Sequence, residues 1–358
     1  MAITRRGFLG GVLATAGTLL IGGRAGAEGD PPPPAASGGR SGGRQPGYLQ
    51  LEQQGRLAER AEQARAMLQR CELCPRRCGV NRLRGETGVC GTADKAVVYS
   101  FQPHFGEEIP LVGRHGSGTI FFSNCNLRCV FCQNWPIAHE GRGSVVDDRR
   151  LAEIMLNVQQ MGCPNINLVT PTHIMPNIVQ ATRIAAENGL RIPLCYNTGG
   201  YDSLAAIKLL DGIVDIYLPD LKFMDGAEAE RYAGGAPDYP ATARQAIAEM
   251  HRQVGDLITD ERGVALRGLM VRHLVMPNRV AGTREFVHWV ANTLSPSTYV
   301  NIMSQYRVEH RAFEYPQIAR AITANEFLEA MEWADQAGLT NLDQRSVMQR
   351  ELFRRRVG

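Results

Sequence analysis

The sequence has little lysine and little net charge. Its 39 basic residues include just three lysines, Lys95, Lys208 and Lys222, and its formal net charge is +3 over 358 residues. So small a charge leaves no electrostatic footprint for nucleic acid, and we expect no nucleic-acid partner. The chain also has no internal repeat. Its length and 44% hydrophobic content predict a globular protein with one large core or two modest ones.

The N-terminus lacks an apolar run long enough to span a membrane. Arg5 and Arg6 precede a glycine-rich apolar stretch that ends near Gly23, whereas a span needs about 20 apolar residues. With the small residues at 25–27, this segment resembles a twin-arginine signal peptide over 1–27. It predicts the twin-arginine export machinery as a partner and an exported or periplasmic location; a chance arginine pair on a cytoplasmic protein is the alternative. Residues 28–47 are mostly Pro, Gly and Ser and predict a disordered linker.

Six short apolar runs alternate with segments of helical periodicity. The runs are GTIFF, NINLV, IPLCY, IVDIYL, LRGLMVRHLVM and TYVNIM, at 118–122, 165–169, 192–196, 213–218, 266–276 and 298–303. Helices are predicted at 48–69 and near 148–161, 176–188, 202–211, 239–254, 283–293 and 323–337. The alternation predicts an α/β fold with a parallel sheet, open or closed into a barrel. The site is expected at the C-terminal ends of the strands.

Three of the nine cysteines follow the first predicted strand as Cys125-x3-Cys129-x2-Cys132. Three thiolates can hold three irons of a 4Fe-4S cluster and leave the fourth iron open to an outside donor. S-adenosylmethionine can bind such an iron through its amino and carboxylate groups, and one electron then breaks its sulfur–carbon bond. The alternatives are a zinc site or a core loop.

A second group supplies four thiols within twenty residues: Cys71, Cys74, Cys78 and Cys90. Such short spacing indicates metal binding, and a second iron–sulfur cluster is the first expectation. Structural zinc is an alternative, as are disulfides if the protein is exported. Cys163 and Cys195 lie beside or within predicted strands and are expected to be buried core residues.

Eight segments carry a family resemblance: CELCPRRCGVNRLRGETGVC at 71–90, HFGEEIPLVG at 104–113, GTIFFSNCNLRCVFCQN at 118–134, LVTPTH at 168–173, YNTGGY at 196–201, DIYLPDLK at 215–222, RHLVMP at 272–277 and MSQY at 303–306. They resemble the radical S-adenosylmethionine superfamily, in the branch related to pyruvate formate-lyase activating enzyme, and are closest to a sister family with an extra N-terminal cysteine group. The resemblance implies a 4Fe-4S cluster, S-adenosylmethionine and an electron donor of the flavodoxin or ferredoxin type.

The implied fold is a partial (β/α)6 barrel over 101–340. A helix and cysteine-rich metal-binding module over 48–100 precedes it, and a basic tail over 341–358 follows it.

Several site residues follow from the resemblance. Asp220 and Lys222 match the Asp-x-Lys that lies beside S-adenosylmethionine in activating enzymes, and Phe131 belongs to the cysteine motif, where an aromatic ring can lie against adenine. The remaining residues expected to bind the cofactor are Asn134, Thr170, Asn197 and Gln305. Lys222 and His273 are the candidate catalytic residues; a solvated charge at the strand end is the alternative for Lys222, and packing beneath the fifth strand is the alternative for His273.

Two segments depart from the activating enzymes. Those enzymes have Gly-Gly-Glu near the end of the second strand and a histidine after the last, where this chain has the segments 170–173 (TPTH) and 304–306 (SQY). The cofactor contacts are therefore expected to differ in detail. The expected function is a radical oxidoreductase that abstracts hydrogen from an unidentified substrate, with a protein or peptide as one class considered. Alternatives are an activase that installs a glycyl radical and an exported iron–sulfur electron-transfer protein without S-adenosylmethionine chemistry.

Overall fold

The computed structural model describes residues 45–357. The predicted signal peptide at 1–27 and the linker as far as residue 44 lie outside this range, so both remain predictions. The described residues belong to one compact unit. Within that range every helix is too short or too polar to span a lipid bilayer.

The strands are β1 (Ala96–His104), β2 (Ser117–Phe122), β3 (Ser144–Val146), β4 (Ile166–Val169), β5 (Leu194–Thr198), β6 (Ile216–Pro219), β7 (Ile258–Thr259), β8 (Ala265–Leu274) and β9 (Tyr299–Met303). The helices are α1 (Gly47–Gln53), α2 (Arg56–Ala66), α3 (Ile109–Val112), α4 (Trp135–Ala138), α5 (Asp148–Gln160), α6 (Met175–Glu187), α7 (Leu204–Leu209), α8 (Gly226–Tyr232), α9 (Tyr239–Val254), α10 (Thr283–Trp289), α11 (Ala324–Gln336) and α12 (Gln344–Val357).

Six strands run parallel in the order β2, β4, β5, β6, β8, β9. They correspond to the six apolar runs of the sequence, so the predicted α/β fold with a partial six-stranded barrel is confirmed. Three further strands are antiparallel: β1 pairs with β2, β3 pairs with β1, and β7 pairs with β8. The sequence did not reveal these three, because β3 and β7 are very short and β1 shows no regular alternation of buried and exposed residues.

The helix α5 illustrates why the helical segments were recognisable. Its buried positions Leu151, Ile154, Met155 and Val158 recur at intervals of three and four, which places them on one face. The Asp147 side chain accepts a hydrogen bond from the backbone N–H of Arg150 and so caps the first turn. The buried face then packs on α6 and on the sheet.

The ends of the chain differ from the predicted boundaries. The helix predicted at 48–69 is two helices, α1 and α2, separated by Gly55, whose φ of 72° favours glycine. The predicted boundary between residues 100 and 101 falls inside β1, so the cysteine-rich segment and the barrel share one sheet. The predicted tail forms α12, which packs on α11 through the rings of Phe327 and Phe353. Its Ser346 hydroxyl accepts a hydrogen bond from the backbone N–H of Ile302 in β9.

Candidate active site

A cavity of about 240 Å³ lies at the C-terminal ends of the parallel strands. Every predicted ligand of the first cluster and every predicted cofactor-binding residue lines it: Cys125, Cys129, Cys132, Phe131, Asn134, Thr170, Asn197, Asp220, Lys222 and Gln305. These residues follow different strands and converge because parallel strands end at the same edge of a sheet.

The loop between β2 and α4 carries the three cysteines of the first group. Asn124 and Arg128 within it adopt positive φ angles of 72° and 56°, a sparsely populated conformation for non-glycine residues. Contacts outside the loop hold this shape: the Val130 N–H donates to the carbonyl of Tyr232 at 2.9 Å, and the Val130 carbonyl accepts from the N–H of Arg311 at 2.8 Å. Strain maintained in this way is typical of functional sites.

The thiols of this loop lie in a desolvated environment. Burial raises the pKa of Cys132 to about 11, to which the neighbouring Cys125 contributes. Burial raises the pKa of Cys129 further, although Lys222 opposes the shift. Cys129 is buried, and the other two are partly exposed toward the cavity.

The donor set fits a cluster with one open iron. Three thiols from one loop line the cavity, and no other cysteine of residues 45–357 does. In the same range no three His, Cys, Asp or Glu side chains are arranged to hold a single metal ion.

Opposite the cysteines lies a charged network centred on Asp220. Its carboxylate accepts hydrogen bonds from Lys222 Nζ at 2.5 Å and from Arg272 Nε at 2.7 Å, and Arg272 Nη2 donates to Asn197 Oδ1 at 2.5 Å. Burial opposes ionisation of Asp220, but the charges of Arg272 and Lys222 outweigh it and hold the Asp220 pKa below its usual range. Arg272 also comes within 3.9 Å of Glu107, which belongs to the HFGEE segment. The wall is therefore charged at neutral pH and positioned for a polar, zwitterionic ligand.

Thr170 directly follows β4 and lines the cavity. It is β-branched yet adopts a φ of 62°, and its backbone N–H donates to the carbonyl of Asn197 at 2.9 Å. A β-branched residue with positive φ is a genuine conformational outlier. The end of β4 is thus held in a special conformation at the cavity wall.

His273, predicted to be catalytic, lies on the other face of β8 and does not line the cavity. It is fully buried, stacks on Phe286 at 4.2 Å between ring centroids, and contacts Thr283 and the Leu221 carbonyl. Successive side chains of a strand point to opposite faces, so Arg272 enters the cavity instead. The signal for Arg272 was its position near the C-terminal end of the apolar LRGLMVRHLVM run, which also contains Arg267.

His139 is a second cavity residue that sequence reasoning missed. Its Nε2 is buried without a hydrogen-bond partner, and its ring lies 4.4 Å from that of His310. Burial lowers the pKa of His139 to about 4, and His310 and Arg128 add to the shift. A neutral imidazole therefore borders the cluster loop. No spacing in the sequence distinguished it.

The second cysteine group lines another, much smaller cavity of about 10 Å³. All four thiols contribute to it, together with Arg82, Asn126 and His173. Burial raises the pKa of Cys74 to about 12 and also raises that of Cys90. All nine cysteines are free thiols in the structure, and Cys163 and Cys195 are buried as expected.

The fold and the site together define an α/β barrel protein with three thiols of one loop in a cavity at the C-terminal ends of its parallel strands. Residues 119–253 match the profile of the Radical SAM superfamily. Uncharacterized protein MJ0674 of Methanocaldococcus jannaschii is 32% identical over 290 residues, which are 78% of each chain. Uncharacterized protein MJ0808 of the same organism is 26% identical over 169 residues, 43% of this chain and 49% of that one. The chain belongs to the radical SAM superfamily, and membership implies a 4Fe-4S cluster, S-adenosylmethionine and an electron donor.

Two solved structures align with part of this chain at low similarity. Streptococcus suis SuiB, bound to precursor peptide SuiA, aligns with a TM-score of 0.38 and 10% identity over 60% of this chain and 43% of that one. TYW1 with a lysine-pyruvate adduct aligns with a TM-score of 0.39 and 12% identity over 61% and 73%.

Proposed function

We propose that this protein is a radical enzyme that cleaves S-adenosylmethionine reductively and abstracts hydrogen from a protein or peptide substrate. The observation that carries the proposal is the single cavity shared by the three thiols and the Asp220 network. A 4Fe-4S cluster at Cys125, Cys129 and Cys132 would supply the electron that breaks the sulfur–carbon bond of S-adenosylmethionine.

The residues of the chain divide the remaining tasks. Lys222 and Arg272 present cationic donors to a carboxylate, while Asp220 and the amide oxygen of Asn197 accept hydrogen bonds from an ammonium group. Asp220 also holds both cations in position, because its carboxylate accepts one hydrogen bond from each of them. Phe131, packed on Phe223 at 5.8 Å between ring centroids, offers an apolar surface for a purine base.

The small volume of the cavity supports a substrate that stays mostly outside it and reaches the cofactor at the opening. About 240 Å³ is below the range of about 300 to 1,000 Å³ for most small-molecule sites. The cluster and S-adenosylmethionine would fill this volume, so the substrate would reach the site at its mouth. There Gln133 and Gln305 are exposed and linked by a hydrogen bond of 3.0 Å. A polypeptide that presents one side chain to the opening fits this arrangement.

The second candidate function is that of an activase that installs a glycyl radical, and the observation that favours it is the pair Asp220 and Lys222. Their positions after β6 match the Asp-x-Lys of those enzymes, whereas the strained Thr170 departs from them. Export through the twin-arginine machinery and a flavodoxin or ferredoxin as donor remain parts of the proposal.

The test is anaerobic reconstitution of the full-length chain followed by electron paramagnetic resonance with and without S-adenosylmethionine. The expected result is a cluster signal that changes when S-adenosylmethionine is added, together with 5′-deoxyadenosine on reduction. Cys163→Ala is the matched control, since it removes a cysteine that does not line the cavity. An unperturbed spectrum with no deoxyadenosine would refute the proposal.

A further inference from the structure

The strongest unassigned feature is the small cavity of the second cysteine group. This cavity adjoins the loop that carries Cys125, Cys129 and Cys132, because Asn126, which directly follows Cys125, lines it. Arg76, two residues after Cys74, donates to the carbonyls of Asn126 at 3.0 Å and Leu127 at 3.3 Å. The segment that carries the second cysteine group is therefore hydrogen-bonded to the loop that carries the first cysteine group.

A buried cation faces these thiols without a compensating charge. Arg82 is 1% exposed, and its Nε and Nη1 donate to the carbonyls of Ala93 at 2.8 Å and His173 at 2.6 Å. Its Nη1 lies 3.9 Å from the Cys71 sulfur, and its Nη2 has no partner. Within residues 45–357 no carboxylate pairs with it. Since an unpaired buried charge is strongly unfavourable, the site calls for an anion beside Arg82.

A second polar group in the same cavity also lacks a partner. His173 is 2% exposed and bonds the Ser123 carbonyl through Nε2 at 2.8 Å, which leaves Nδ1 without a hydrogen bond. Because Nε2 donates to a carbonyl, Nδ1 is an acceptor that a donor such as a water would satisfy, so the need for an anion rests on the unpaired Arg82 Nη2.

We propose that Cys71, Cys74, Cys78 and Cys90 hold a second 4Fe-4S cluster, with Arg82 as its buried counter-charge. Four thiolates complete the ligand set of such a cluster, which leaves no open iron and so no site for S-adenosylmethionine. The bound cluster with its four thiolates would carry net negative charge and present sulfur acceptors to Arg82, and metal analysis distinguishes it from zinc.

The test uses the full-length chain with Cys125, Cys129 and Cys132 all replaced by alanine, so that it does not depend on the proposed radical reaction. We expect about four irons and four sulfides per chain after anaerobic reconstitution, and a reduced-cluster signal that S-adenosylmethionine does not alter. Zinc in place of iron, or four metal-free cysteines in a folded chain, would overturn the proposal. Failure of the radical reaction would appear separately, as absent deoxyadenosine in the wild-type chain.

Arg82 provides a second measurement in the same triple variant. Arg82→Gln should make the reduction potential of the remaining cluster more negative, because the reduced cluster loses a nearby positive charge. Arg82→Lys should keep the potential closer to that of the parent. An unchanged potential in Arg82→Gln would show that no cluster lies beside this residue.

Discussion

Lys222→Met removes one of two cations from the proposed binding wall for S-adenosylmethionine while it leaves the other in place. Lys222 uses one of its three N–H groups on Asp220, and its side chain is 21% exposed to the cavity. The remaining N–H groups are available to a ligand carboxylate. Asp220 keeps its hydrogen bond from Arg272 at 2.7 Å in the variant, so its charge stays compensated.

The expected effect is therefore on binding more than on folding. A lost hydrogen bond to a charged group is worth about 1.5 to 3 kcal/mol, which corresponds to roughly ten- to over a hundredfold in affinity. The stability loss should stay below the roughly 3 to 5 kcal/mol of a truncated buried ion pair. Lys222→Arg should recover only part of the affinity, because a planar guanidinium does not reproduce a compact ammonium.

The assay is isothermal titration of S-adenosylmethionine into the anaerobic, reconstituted protein, with iron content and thermal unfolding measured on the same preparation. Lys208→Met is the matched control, because Lys208 is an exposed lysine on α7 outside the cavity. An unchanged dissociation constant in Lys222→Met, with cluster content intact, would refute the assignment of Lys222 to the ligand carboxylate.

Replacing Cys125, Cys129 or Cys132 singly by alanine should abolish deoxyadenosine formation, since three ligands are the minimum for this cluster; turnover in any one variant, measured by chromatography, would contradict the site. Arg272→Met should lower the unfolding free energy by about 3 to 5 kcal/mol, because buried Glu107 loses the guanidinium that helps to keep it ionised, whereas Asp220 keeps Lys222; denaturant unfolding checks this, and a loss below about 1 kcal/mol would contradict it. Arg320 and the α11 cap hold the pKa of Glu326 at about 2, below its unfolded value. The resulting stabilisation is complete above about pH 4.5 and declines as pH falls toward 2. Glu326→Gln should therefore destabilise the chain more at pH 7 than at pH 3.5, and equal losses at both pH values would count against this.

The cysteine spacing and the strand periodicity were sufficient to predict that the three cysteines meet at the strand ends and that six strands run parallel. Both signals are local. The three cysteines of a CxxxCxxC segment are close in sequence and therefore lie in one loop. An apolar run of five or six residues predicts a strand of a parallel sheet, because such strands are buried on both faces. The convergence of Thr170, Asn197 and Asp220 was also predictable, because each follows a strand and parallel strands end together.

The choice between Arg272 and His273 needed the tertiary structure. Adjacent residues of a strand face opposite sides, and a one-residue error in phase exchanges the cavity residue for the core residue. The position of His139 also needed the tertiary structure. His139 directly follows α4, and the Asn124 N–H donates to the Ile137 carbonyl of that helix, which brings His139 to the cavity.

The sequence by itself determined which cysteines are the candidate metal ligands and in what order the βα units follow one another, since both depend on residue type and short-range periodicity. Only the tertiary structure decided which face of β8 lines the cavity and that Asp220 joins Lys222 to Arg272. It also placed Arg82 and His173 beside the second cysteine group. Those contacts join residues that are tens of positions apart, and they form only when the whole sheet closes around its core.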